Sequence, residues 1–112
     1  MFTMKLVWPS CGCSTEEFYG GPGQEDPNNY YLPVYVPSRG KIVTRVFNQE
    51  GQDADPLVRD DWIDANAPRI ILSEFGSDAL PILDSVLKGK EFTARCPCGS
   101  GMMGKVVYTG IV

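Results

Sequence analysis

Phe2-Thr3-Met4-Lys5-Leu6-Val7-Trp8-Pro9-Ser10-Cys11-Gly12-Cys13 and Glu91-Phe92-Thr93-Ala94-Arg95-Cys96-Pro97-Cys98-Gly99 lie near opposite ends of the chain and repeat one plan, a strand running into a CxC turn. Strict alternation puts Phe2, Met4, Leu6 and Trp8 on one face of the first strand, and Pro9 ends it. Glu91 to Arg95 leads into the second pair; Lys105 to Tyr108, beyond Gly99-Ser100-Gly101, leads out of it. Both cysteine pairs are therefore expected at strand tips. If the terminal strands lie side by side, Cys11, Cys13, Cys96 and Cys98 meet.

Four thiolates suit Zn2+ as a structural ion, because tetrahedral zinc then has every position filled and no site for water. Gly12 and Gly99 let the backbone come close to the metal and aim amides at sulfur. Other chemistries open to such pairs are a dithiol redox centre, disulfides, another thiophilic metal such as an iron–sulfur cluster, or inert buried thiols. The paired turns resemble those of zinc ribbons, and Cys96-Pro97-Cys98-Gly99-Ser100-Gly101 is similar to the opening of the small SEC-C zinc motif. Zinc ribbons usually carry two residues between the cysteines, and the downstream pair that completes SEC-C is missing here. The likeness implies zinc over these few residues and identifies no family for the whole chain.

Outward from the cysteines, Tyr30 to Val36 and Lys41 to Phe47 are β-branched and aromatic runs separated by Pro37-Ser38-Arg39-Gly40, a hairpin signature. Pro33 and Pro37 cannot donate to a ladder, which predicts an edge position for the first of these strands. Tyr30, Tyr31 and Tyr35 are candidate partner contacts, and equally ordinary sheet residues. Residues 14–29 read as irregular loop; Gly20-Gly21-Pro22-Gly23 lacks the Lys-Ser or Lys-Thr ending of a phosphate-binding loop.

From Glu50 to Asp64 the chain is lopsidedly acidic. A calcium loop begun at Asp53 fails, because Leu57 and Val58 fall where a ligand and a turning glycine belong. Instead Asp55 caps a helix with Pro56 at its first position, Leu57, Val58, Trp62 and Ile63 toward the core, and Asp60, Asp61 and Asp64 toward solvent. Those three acids are a solvated face or a docking surface for a basic partner. Pro68 is expected to end that helix, with Arg69 to Phe75 of unassigned type. Ser77 then caps a second helix, Asp78 to about Lys88, stopped by Gly89.

The 112 residues include 10 Lys plus Arg, 14 Asp plus Glu and no His, for a net charge of −4. Without His there is no Ser-His-Asp or Cys-His catalysis and no imidazole switch. The negative field disfavours nucleic acid, which needs clustered cations. Arg39, Lys41 and Arg45, or Lys88, Lys90, Arg95 and Lys105, remain the candidate local basic patches. No charged leader and no apolar run of about 18 residues is found, so the reading is a cytoplasmic, non-membrane chain.

The expected fold is therefore a single α+β domain, residues 1–112. It comprises a small, mostly antiparallel sheet of about five strands, two short helices, and a zinc-ribbon-like four-cysteine site joining the N- and C-terminal arms. Residues 14–95 are then an insertion in a ribbon-like core. The expected function is a non-catalytic zinc-stabilised interaction module, not an enzyme and without a small-molecule substrate, an accessory subunit of a larger assembly or an inhibitor of a protein partner. Size and composition suit a virus-encoded factor. A thiol–disulfide redox protein and a nucleic-acid-binding or nucleic-acid-mimicking regulator are the alternatives.

Overall fold

The computed structural model describes residues 2–22, 29–47, 56–83, 86, 89, 91–99 and 101–111. Its strands are β1 (Phe2–Trp8), β2 (Cys13–Ser14), β3 (Gly21–Pro22), β4 (Tyr30–Val36), β5 (Lys41–Phe47), β6 (Leu80–Pro81), β7 (Glu91–Thr93) and β8 (Met103–Ile111), with the helix α1 (Pro56–Phe75) between β5 and β6. The class is α+β with antiparallel pairing throughout. Two sheets replace the one expected, in the orders β2-β1-β8-β7 and β3-β4-β5, with β6 also on β4.

β1 and β8 pair along nearly their whole length, from Phe2 opposite Ile111 to Val7 opposite Lys105, with a bulge between Thr3 and Met4. The two ends of the chain thus form the middle of the first sheet, as the cysteine reading required. Met4, Leu6 and Trp8 are buried together with Val106 and Phe92. Their period-2 alternation is the reason β1 is a strand.

β4 lies between two cores. Leu32, Val34 and Val36 face Ile63, Ala67 and Ile71 of α1, whereas Tyr35 joins Met4, Leu6 and Trp8 of the first sheet. The order of layers is sheet, sheet, helix. A strand covered on both faces reads as a continuous apolar run, and all five residues from Leu32 to Val36 are buried.

That placement corrects the edge position expected from Pro33. β4 is interior: β5 runs along one side, and β3 and β6 share the other, at Tyr30–Tyr31 and Val34–Tyr35. Pro33 sits at the break between those two short strands, where no amide is needed, and its carbonyl accepts the N–H of Ile82 at 2.9 Å.

The bounds expected for the two helices are corrected as well. α1 starts at Pro56 as read, but runs through Pro68 to Phe75. Pro68 is exposed, while Ile63, Ala67 and Ile71 on either side of it hold one face on the sheet. Burial of that face outweighs the roughly 3 kcal/mol an interior proline costs. Pro68→Ala is accordingly expected to raise stability by about 1–3 kcal/mol in a denaturant melt. An unchanged or lower midpoint would contradict this. Val86 and Gly89 are also helical, in a stretch whose other residues lie outside the described set, so α1 is the helix whose bounds are described. Leu80–Pro81, expected inside a helix from Asp78 to Lys88, pair with Tyr35 and Val34 instead. Residues 84, 85, 87, 88 and 90 lie outside the described set, as do Glu50, Asp53, the Asp55 cap and the side chains of Leu57, Val58 and Asp60.

The loop expected over residues 14–29 is partly ordered along the sheets. Phe18 bridges Met4 by reciprocal N–H···O bonds of 2.9 and 2.8 Å, and β3 pairs with Tyr30 and Tyr31. Residues 23–28 lie outside the described set.

Candidate metal centre

Pairing of β1 with β2 and of β7 with β8 places the two CxC turns at the same end of the first sheet. In the first turn the N–H groups of Cys11 and Gly12 both donate to the Trp8 carbonyl, at 3.3 and 2.9 Å, and Cys13 stands opposite Trp8. In the second, Gly99 N–H donates to the Cys96 carbonyl and Cys96 N–H to the Gly101 carbonyl, both at 2.9 Å. Gly12 and Gly99 take φ of 75° and 84°, a left-handed backbone that a Cβ would disfavour. One such residue in each turn lets two cysteines separated by one residue aim at a common point.

The sulfurs of Cys11, Cys13, Cys96 and Cys98 all lie within 4.8 Å of one another. Cys11 Sγ is 3.4 Å and Cys98 Sγ 3.0 Å from Cys96 Sγ. A disulfide needs about 2.05 Å, so these are four thiols. A tetrahedron with metal–sulfur bonds of about 2.3 Å has edges of about 3.8 Å, a size that small adjustments of this cluster reach. The donor set fits a single thiophilic ion.

Burial is graded across the cluster: Cys96 is buried, Cys11 and Cys13 are half-buried, and Cys98 is exposed. Gly101 closes the inner side, its N–H donating to Cys96 Sγ at 3.2 Å. A Cβ added at Gly101 would stand 3.1 Å from Cys11 Sγ, so no larger residue fits there without moving a sulfur. On the outer side, a Cβ at Gly40 would be 3.4 Å from Pro97 Cβ, which puts the β4–β5 turn against the second cysteine turn.

Two buried aromatic donors fix the backbone that enters this second turn. Trp8 Nε1 donates to the Ala94 carbonyl at 2.9 Å, and the Tyr35 hydroxyl to the Arg95 carbonyl at 2.6 Å. Their rings pack 5.1 Å apart, and Phe92 meets Trp8 edge-on at 5.5 Å. Neither donor role, nor the Gly101 amide, was legible in the sequence; the Gly-Ser-Gly after Cys98 was the available cue for the last.

The close approach of the sulfurs acts on the protonation of Cys13. Hydrogen bonding to Cys98 and Cys11, with a smaller contribution from burial, pushes the Cys13 thiol up to about 12. A dication bound here would have to displace that proton and would then stabilise the thiolate directly. Tyr35 is also pushed up to about 12, first by burial and then by the charges of Cys96, Cys13 and Cys98. Its phenol is kept protonated by the fold, so its contribution to stability is complete below the ordinary value of 10 and is lost as pH rises toward about 12. Tyr35→Phe is expected to lower stability by about 1 kcal/mol at neutral pH and to lose less than the parent protein over that alkaline interval. Urea midpoints across the interval check this, and parallel curves for the two proteins would refute it.

The remaining predicted site residues are dispersed. Tyr35 is fully buried and offers a partner no surface, whereas Tyr30 and Tyr31 are half-buried. Asp61 and Asp64 are exposed on α1. In the first candidate basic patch, Arg45 is engaged internally, bidentate to Glu74 at 3.1 and 3.2 Å and 4.4 Å over the Phe47 ring. Arg95 and Lys105 are exposed, and Lys88 and Lys90 lie outside the described set. Among the described residues no helix is long and apolar enough to cross a membrane. No protein-family model, curated protein or solved structure matches the chain.

Proposed function

We propose that the chain is a non-catalytic interaction module whose fold is stapled by one Zn2+ on Cys11, Cys13, Cys96 and Cys98. The observation that carries the reading is the convergence of four sulfurs within 4.8 Å from turns at both ends of the chain. Thiolates select zinc, copper(I) or iron. An iron–sulfur cluster, with its own irons and sulfides between the ligands, would hold the cysteine sulfurs farther apart, and four thiolates on zinc leave no position for a reacting water. The role that follows is structural, and binding to a protein partner as an accessory subunit or inhibitor is the function most consistent with it.

A dithiol redox role is the second reading, favoured by the exposure of Cys98 beside Cys96 at 3.0 Å. Thiol titration separates the two. A zinc-stapled protein gives almost no reactive thiol until a chelator is added and then releases four equivalents with the metal. Fast, chelator-independent thiol reaction, with reversible disulfide formation in a redox buffer, would overturn the zinc reading in favour of the redox one.

A further inference from the structure

The outer edge of β5 combines an open strand with a lined groove. β5 ends its sheet, and among the described residues no strand pairs its far side. Thr44 stands opposite Pro33, whose nitrogen carries no hydrogen and whose carbonyl turns away from β5 to Ile82. The pair is thus a non-hydrogen-bonded one, and alternation makes Ile42, Thr44 and Val46 direct their N–H and C=O groups outward. Of these, the Val46 carbonyl accepts Arg45 Nη1 at 2.6 Å.

The side chains of the same three residues form one wall of a groove of about 420 Å³, completed by Glu16, Glu17, Tyr19 and Tyr31. Tyr19 is 51% and Val46 38% exposed, so apolar surface faces solvent there. The charged residues lining it are both acids, and Glu16 and Glu17 are exposed. The basic side chains of β5, Lys41 and Arg45, alternate to the opposite face, where Arg45 meets Glu74 of α1. Natural edges are commonly blunted by proline, by a bulge or by a cation laid across the edge; β5 has the last at Val46, where Arg45 caps the carbonyl, while Ile42 and Thr44 carry none of these.

We infer that this edge takes an extended, basic peptide segment of a partner as an added β-strand. The main chain of the segment would pair with Ile42 and Thr44 and reach the Val46 N–H, the Val46 carbonyl being held by Arg45. Alternate side chains would enter the groove, apolar ones against Tyr19 and Tyr31, and a lysine or arginine against Glu16 and Glu17. A second copy of this chain is the poorer occupant, since it brings another acid-lined groove and its own net charge of −4. The inference rests on the interaction-module reading but not on the metal.

The test titrates isotope-labelled protein with a short capped peptide alternating valine and lysine. The expected result is amide shifts and added hydrogen-exchange protection centred on Ile42, Thr44 and Val46, with a valine–glutamate peptide binding at least about tenfold more weakly. Thr44→Pro removes an outward amide without touching the β4 ladder and should weaken binding about tenfold or more. Should that variant fail to fold, the double change Glu16→Lys and Glu17→Lys serves instead, with the same expected loss. Equal affinity for both peptides, shifts centred elsewhere, or sedimentation showing self-association through the β5 edge would overturn the proposal. Metal content measured on the same samples keeps this outcome separate from that of the zinc reading.

Discussion

Metal removal from the native protein is expected to unfold it or to lower its thermal midpoint steeply. Structural zinc contributes on the order of 10 kcal/mol of apparent binding free energy, comparable with the whole stability of a small domain, about 5–15 kcal/mol. Cys96 is the most deeply placed ligand, at 1% exposure, and holds the Gly101 amide. Cys96→Ser should therefore reproduce the effect of chelation, and a chelator should then add little. Cys98→Ser, at the exposed corner of the cluster, should be milder and leave weakened metal binding. The ligands release protons as they bind, so metal loss should become easier as pH falls. A melt unchanged after verified metal removal would contradict the structural role.

Trp8→Ala is expected to be the most damaging change outside the cysteines. The indole is fully buried between Tyr35 and Phe92, and its truncation should cost about 3–5 kcal/mol through the cavity alone. It also deletes the hydrogen bond from Nε1 to the Ala94 carbonyl, two residues before Cys96. That carbonyl would be left buried without its donor, and the second turn would lose one of its two anchors. Metal affinity should accordingly fall along with stability, as competition with a chromophoric chelator would show. Trp8→Phe separates the two effects, since it keeps much of the packing and removes the donor. Full metal affinity in Trp8→Phe would reduce Trp8 to a packing residue.

The parts of the fold that could be read in the sequence are those set by local periodicity. Met4, Leu6 and Trp8 announce β1 by alternation, Pro37 to Gly40 announce the β4–β5 turn, and Pro56 marks the start of α1. The four cysteines could be brought together on paper because each pair ends a strand, and the β1–β8 ladder does bring them together. What escaped was set by contacts remote in sequence. Pro68 is a strong local stop, yet the apolar face through Ile63, Ala67 and Ile71 carries the helix past it. Leu80–Pro81 are claimed by β4, a strand more than forty residues earlier, and no capping signal at Ser77 competes with that ladder.

The division into two sheets had a visible cue in the sequence. Leu32 to Val36 is apolar at every position, the pattern of a strand with two covered faces rather than of an edge. Tyr35 and Trp8 reach carbonyls 60 and 86 residues away, a relation no spacing rule reveals. The same distance explains why Tyr35, grouped in the sequence with Tyr30 and Tyr31 as a partner contact, is instead a buried support of the cysteine site.

The central claim is that four thiolates hold one dication, and native mass spectrometry of freshly purified protein measures it directly. The account predicts the 12.3 kDa chain plus one zinc less the two hydrogens that a dication displaces at constant charge, converting to the fully protonated apoprotein mass on acidification. A native mass equal to the metal-free thiol form, lower by the hydrogens lost to disulfides, or raised by iron and sulfide would contradict it.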